Sequence, residues 1–190
     1  MTIFPQKREF IVDVTEMRRE MGRFGLRCAS DLDLPIGIAV TENLIGGSIA
    51  DLNVIKRLHE ATHITAWVTG NPVDGFFIVV PLSKDGEEAV RDGSFLPADP
   101  AVSHVCPQGE FCHAVYVGVY AGQTRDARRN IMQASATLRV QLFGTVACFA
   151  RAATEDGERS MYTLGFGPIE GGLPDLFVQE PLTNSLWSAA

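Results

Sequence analysis

Apolar positions along the chain recur with two periods, near two and near 3.6 residues, and these divide it into short strands and helices. Glu9-Phe10-Ile11-Val12-Asp13-Val14 predicts a strand, and Thr15 then caps a helix through Met21 that Gly22 and Gly25 close. Gly25 to Ser30 alternates as a strand. Over 48–62, Ile49, Leu52, Ile55 and Leu58 recur at three-residue steps, which predicts a helix capped by Ser48. Ile64, Ala66 and Val68 alternate, Asn71-Pro72 supplies a turn, and Gly75 to Leu82 is continuous and β-rich, so 64–82 reads as a hairpin. Residues 83–110, rich in Gly, Pro, Asp and Ser, predict a long loop with one helical turn at Glu87 to Arg91.

The second half is more regular. His113 to Tyr120 predicts a strand, and Ala121-Gly122-Gln123-Thr124 a turn. A long helix follows, with Ala127, Ile131, Ser135, Leu138 and Leu142 on one stripe. Gly144 ends it, and Thr145 to Ala150 is another apolar strand. Strand, helix and strand at this length imply a crossover unit with parallel strands. Thr154 caps a short helix with an acidic first turn, Glu155, Asp156 and Glu158, which suits the helix dipole. Leu164-Gly165-Phe166 stops it, with Gly165 in a left-handed position and Phe166 folding back. A last strand is expected at Asp175 to Val178.

Length and charge narrow the function. A chain of 190 residues with 46% apolar and 21% charged residues reads as one domain, 1–190, with a real core. A net charge of −7 argues against nucleic acid or an anionic membrane surface as the main partner. The densest apolar run, Phe76 to Leu82, is too short to span a bilayer. Cys28, Cys106, Cys112 and Cys148 are irregularly spaced, and Met1 to Arg8 holds no apolar stretch of signal-peptide length. Reduced thiols and a cytoplasmic location are therefore the expectation.

One feature conflicts with simple helix electrostatics. Arg125, Arg128 and Arg129 crowd the start of the long helix, the positive end of its dipole, and Asp126 offsets only part of that charge. An anion bound at the helix start would explain them; a solvated face, or pairing with acids elsewhere, is the alternative.

With these residues in place, the chain resembles the GNAT superfamily of acyl-CoA-dependent N-acyltransferases over nearly its whole length. Gly75 to Leu82 resembles the family's third strand, His113 to Tyr120 its fourth, and Thr145 to Ala150 its fifth. The stretch Ala150 to Phe166, ending in Leu164-Gly165-Phe166, carries the sharpest likeness. The resemblance implies a mixed α/β fold, a central twisted mixed sheet flanked by helices. It implies acyl transfer from acetyl-CoA or another acyl-CoA to a small-molecule or peptide amine, and a possible homodimer. It implies that amides of Val117 and Val119 hold the pantetheine arm, and that Gln123, Thr124, Arg125, Asp126, Ala127 and Arg128 cradle the pyrophosphate. Tyr162 becomes the candidate general acid and Glu110 the candidate base. For Tyr162 a buried core ring is the competing reading, and for Glu110 a solvated carboxylate. Variable loops, here 31–47 and 83–110, form the acceptor side in such proteins.

The chain departs from the family pattern twice. Gly122 to Arg128 stands where the family has Q/R-x-x-G-x-G/A. With Ala127 in the last position, Arg125 replaces the middle glycine that lets a ligand approach the backbone. Met161 holds the position usual for the acid, and Tyr162 lies about 100° further around the helix. The alternative function is thus a catalytically degenerate domain that binds CoA or another anionic small ligand. A second alternative comes from His59-Glu60-Ala61-Thr62-His63, which matches the H-E-x-x-H pattern of zinc metalloproteases. There, two histidines one helical turn apart hold the metal. Against it, Lys56-Arg57 precede the pattern and Ile64 to Val68 alternates like a strand. His104, Cys106, Cys112 and His113 form a looser cluster with spacing too wide for a zinc knuckle. We expect no metal site.

Overall fold

A computed structural model describes residues 10–182; the N-terminal stretch 1–8 and Glu9, the expected start of the first strand, lie outside them. The chain folds as a mixed α/β structure around a seven-stranded sheet. Its strands are β2 (Leu26–Cys28), β3 (Ala66–Thr69), β4 (Gly75–Leu82), β6 (Ala114–Gly122), β7 (Ala147–Arg151), β8 (Gly167–Pro168) and β9 (Leu176–Gln179). They lie in the order β2-β3-β4-β6-β7-β9-β8. Every neighbouring pair is antiparallel except β6 and β7, the parallel pair that the crossover pattern requires. A separate two-stranded ribbon joins β1 (Phe10–Ile11) to β5 (Phe111–Cys112).

Alternation along β4 sorts the core into two layers. Phe76, Ile78 and Val80 pack with α2 (Asp33–Ile45), α3 (Leu52–Thr62) and α4 (Lys84–Asp92) on one face. Phe77 and Val79 pack with α1 (Val14–Gly22) and α5 (Arg125–Gln141) on the other. Each fully buried side chain of this size contributes about 1.5–3 kcal/mol. Helix α6 (Glu155–Thr163) follows β7.

Helix α2 occupies much of the stretch 31–47 expected to be a variable loop. Its apolar residues run all round rather than along one stripe, which hid it from a periodicity argument. Asp33 anchors its start. The carboxylate takes two bonds from Arg27, at 2.5 and 2.9 Å, and one each from Ser30 N–H and hydroxyl, at 2.8 and 2.6 Å. Gly37 lets the helix lie on the sheet, since a Cβ there would come within 2.6 Å of the Phe76 ring.

Other boundaries shift for local reasons. The cap of α1 is Asp13, whose carboxylate accepts from Glu16 N–H, and not Thr15. The cap of α3 is Asp51, which accepts from Asn53 and Val54 N–H, and not Ser48. Within 83–110 a nine-residue helix, α4, replaces the single expected turn, capped by the Ser83 hydroxyl. On α5 the buried stripe runs through Ala134 where Ser135 was expected. The start and stop of α6 are as the sequence indicates. Thr154 accepts from Gly157 N–H at 3.0 Å, Gly165 has φ +82°, and Phe166 N–H bonds back to Met161 O at 3.0 Å. No helix among the described residues is long and apolar enough to cross a membrane.

Candidate functional site

The ladder between β6 and β7 holds from Ala114/Ala147 to Val117/Ala150 and then stops, while β6 runs on to Gly122. At that point Gly118 forms a bulge: Val117 pairs with Val79 and Val119 with Ile78, so Gly118 has no partner across on β4. A bulge bends its strand and adds local twist. Past Val117 the edge of β6 that faces β7 has no strand partner. A cavity of about 330 Å³ fills the gap. Val117 to Tyr120 line it from β6, Ala150 to Thr154 from the end of β7, and Met161 and Leu164 from α6. Ser135 and Ala136 of α5 line it from one side of the sheet, Thr41 and Ile45 of α2 from the other, so the cleft passes through the sheet.

The wall is mostly apolar and its charges are all positive. Arg139 and Arg151 belong to it, and among the described residues it includes no Asp, Glu, His or Lys. Arg139 is 7% exposed and directs its five N–H groups at neutral oxygens. These are Phe143 O, Val146 O at 2.6 Å, Gln179 Oε1 at 2.7 Å, Gln179 O at 3.2 Å and Glu180 O at 2.6 Å. Burial holds its pKa below the usual arginine value. Arg151, exposed at the mouth, is steered by one bond from its Nε to Pro174 O at 2.7 Å. Cys148 also lines the cavity, but burial pushes its thiol up to about 11, so it stays protonated and a poor nucleophile at neutral pH. Tyr120 donates to Arg128 O at 3.4 Å, and burial raises its pKa as well.

Of the residues expected to hold an acyl-CoA, Val117 and Val119 line the cleft, whereas Gln123, Thr124, Arg125, Asp126, Ala127 and Arg128 do not. The start of α5 already holds an anion of its own. Asp74 Oδ2 accepts from the Thr124 hydroxyl at 2.8 Å and Asp74 O from Gln123 N–H at 2.8 Å. Thr124 Oγ caps Ala127 N–H at 3.0 Å. Arg128 folds back so that Nη1 donates to Gly122 O and Gln123 O, each at 3.2 Å, and Arg129 pairs with Asp126 at 3.0 Å. Arg125 is exposed. The three arginines thus have separate fates, Arg128 on backbone carbonyls, Arg129 on Asp126 and Arg125 exposed, while the Asp74 carboxylate adds negative charge beside the positive pole.

Tyr162 is neither in the cleft nor in the core. Its side of α6 turns outward, 53% exposed, with the ring edge-on to Phe177 at 5.4 Å, while Met161 faces the cavity. The 100° step between neighbouring helical residues is the reason. Glu110 is exposed in the turn before β5 and takes no part in the wall. The zinc pattern is also taken apart by the backbone. Helix α3 ends at Thr62, His63 is its left-handed cap with φ 59°, and His59 Nδ1 accepts Ala66 N–H at 3.0 Å. The Cys106 thiol donates to Glu110 O and the Cys112 thiol to Ala114 O. Among the described residues no group of three His, Cys, Asp or Glu is placed to hold a metal ion.

Sequence reasoning passed over Arg139, Arg151 and the α2 residues Thr41 and Ile45. A signal existed for Arg151, a charge directly after the apolar run of a parallel strand, at the carboxyl end where open sheets bind ligands. None existed for Arg139, which looks like any polar residue beside a helix stripe. Comparison with protein-family models, curated proteins and solved structures yields no match for this chain.

Proposed function

We propose that this chain is a GNAT-like N-acyltransferase that passes an acyl group from a pantetheine thioester to an amine. The observation that carries the reading is the cleft through the sheet where parallel β6 and β7 part. A linear donor can lie there as a substitute strand, its amides bonding the free edge of β6 beyond Val117. Cavities of a few hundred Å³ suit such ligands. In this reading the thioester lies along α5 and α6 and the amine reaches it past α2, which line opposite sides of the cleft.

The reaction forms a C–N bond as the amine attacks the thioester carbonyl, and breaks the C–S bond. The amine's proton ends on the departing sulfur or on water. Within the cleft, this chain supplies orientation by β6, exclusion of water by the apolar wall, and positive potential from Arg151 toward charge growing on oxygen or sulfur. No carboxylate or imidazole of the wall accepts the proton, so a neutral amine is the competent nucleophile and the rate rises with pH toward the amine's pKa.

That same lack of an acid–base group favours a second reading, a domain that binds the donor without turning it over. Thiol release from acetyl-CoA, octanoyl-CoA and S-acetylpantetheine with a panel of amines separates the two. Release above the uncatalysed rate, lost in Ser135→Trp, which fills the cleft from α5, supports transfer. Saturable binding without release supports the silent domain. Absence of binding by every donor removes both.

A further inference from the structure

We infer that the donor recognised here is a pantetheine thioester without an adenine nucleotide, the affinity residing in the arm alone. This rests on the proposed thioester site and sharpens its substrate class. A nucleotide's diphosphate would have to anchor at the start of α5, next to the end of β6. That corner is closed by the chain's own groups. Two amides at this turn are taken, Gln123 N–H by Asp74 O and Ala127 N–H by Thr124 Oγ, and Arg128 N–H makes the first bond within the helix, to Thr124 O at 3.1 Å. The carboxylate of Asp74, bonded to the cap hydroxyl, stands where the phosphate charge would go, and like charges at such a site repel. The guanidinium of Arg128, the natural partner for a phosphate, is turned onto the carbonyls of Gly122 and Gln123. The turn is packed tight as well, since a Cβ on Gly122 would fall 2.7 Å from Arg128 N. The cavity itself stops short of 123–128 and draws on the second half of α5, at Ser135 to Val140. The space fits the arm, and at the nucleotide's anchor a carboxylate stands in place while the arginine is engaged elsewhere. Such an arm comes either as a small free thioester or as the prosthetic arm of a carrier protein.

Calorimetric titration of the full chain with acetyl-CoA, S-acetylpantetheine, adenosine 3′,5′-bisphosphate and an acetylated acyl carrier protein tests this. The expected result is that acetyl-CoA and S-acetylpantetheine bind within about threefold of each other and the bisphosphate not at all, because the nucleotide gains no contacts. Asp74→Asn, which removes the resident charge and keeps the shape, should tighten acetyl-CoA about tenfold and leave S-acetylpantetheine unchanged. Tighter binding of the acylated carrier than of S-acetylpantetheine assigns the arm to a protein-borne source; equal or weaker binding assigns it to a small thioester. Acetyl-CoA binding more than about tenfold tighter than S-acetylpantetheine overturns the inference while leaving the acyltransferase reading intact. Silence from every thioester overturns that reading and the inference with it.

Discussion

Replacing Arg139 by Met tests how the floor of the cleft is held. Met keeps an unbranched stem and removes the guanidinium. The carbonyl of Phe143 retains Val146 N–H at 3.3 Å, so its loss is small. The Val146 carbonyl sits on a residue with 0% exposure and loses its charged donor, a cost of about 1–3 kcal/mol. Gln179 O, Gln179 Oε1 and Glu180 O are only partly buried, and water replaces the lost donor for about 0.5 kcal/mol each. Relief from burying a cation without a carboxylate partner works the other way. The sum is about 2–4 kcal/mol, which for a chain of this length lowers Tm by about 4–16 °C. Urea unfolding followed by circular dichroism gives the free energy directly. Arg139→Lys should recover less than half of the loss, since one ammonium cannot reach oxygens on both the α5–β7 turn and β9. A loss below about 1 kcal/mol for Arg139→Met would refute the view that this side chain staples α5 to the end of β9.

Asp33→Asn should cost about 2–3 kcal/mol by breaking the charge-assisted bonds from Arg27, and should loosen the start of α2. The bonds from Arg27, ahead of those from Ser30, hold the Asp33 carboxyl well below the usual carboxylate range. Its contribution is therefore complete above the unfolded value near 4 and fades as pH falls below it. Urea midpoints between pH 7 and pH 2 should show that fall in the wild type and a shallower one in Asp33→Asn; parallel curves would remove the argument. Tyr162→Phe should leave any transfer rate within about twofold, because Tyr162 does not line the cleft, whereas Met161→Tyr places a phenol in it and should raise any such rate about tenfold or more. A large loss in Tyr162→Phe would mean that α6 sits rotated from the position described.

Elements whose signals lie close together along the chain are legible in the sequence. The hairpin of β3 and β4, the crossover from β6 through α5 to β7, and the capped stop of α6 all follow from period, cap and turn residues within a few positions. Those local rules also made the parallel pairing of β6 and β7 the expected one. The same rules failed at α2, which is apolar on every side and became a helix because Leu34, Thr41 and Ile45 meet the sheet and the cleft wall, and Asp33 meets Arg27. They failed again where distant residues share one corner. Asp74 is 50 positions from Thr124 yet takes the hydroxyl that caps α5, a meeting decided by the turn before β4 coming up beside the end of β6. Which of Met161 and Tyr162 faces the cavity was set by how α6 docks after β7, since composition is blind to a rotation of one residue. Sequence determined the elements and their order because hydrogen-bond periodicity and capping are local. Only the packed structure decided which side chains face the gap, because burial across a sheet joins residues that the chain itself keeps apart.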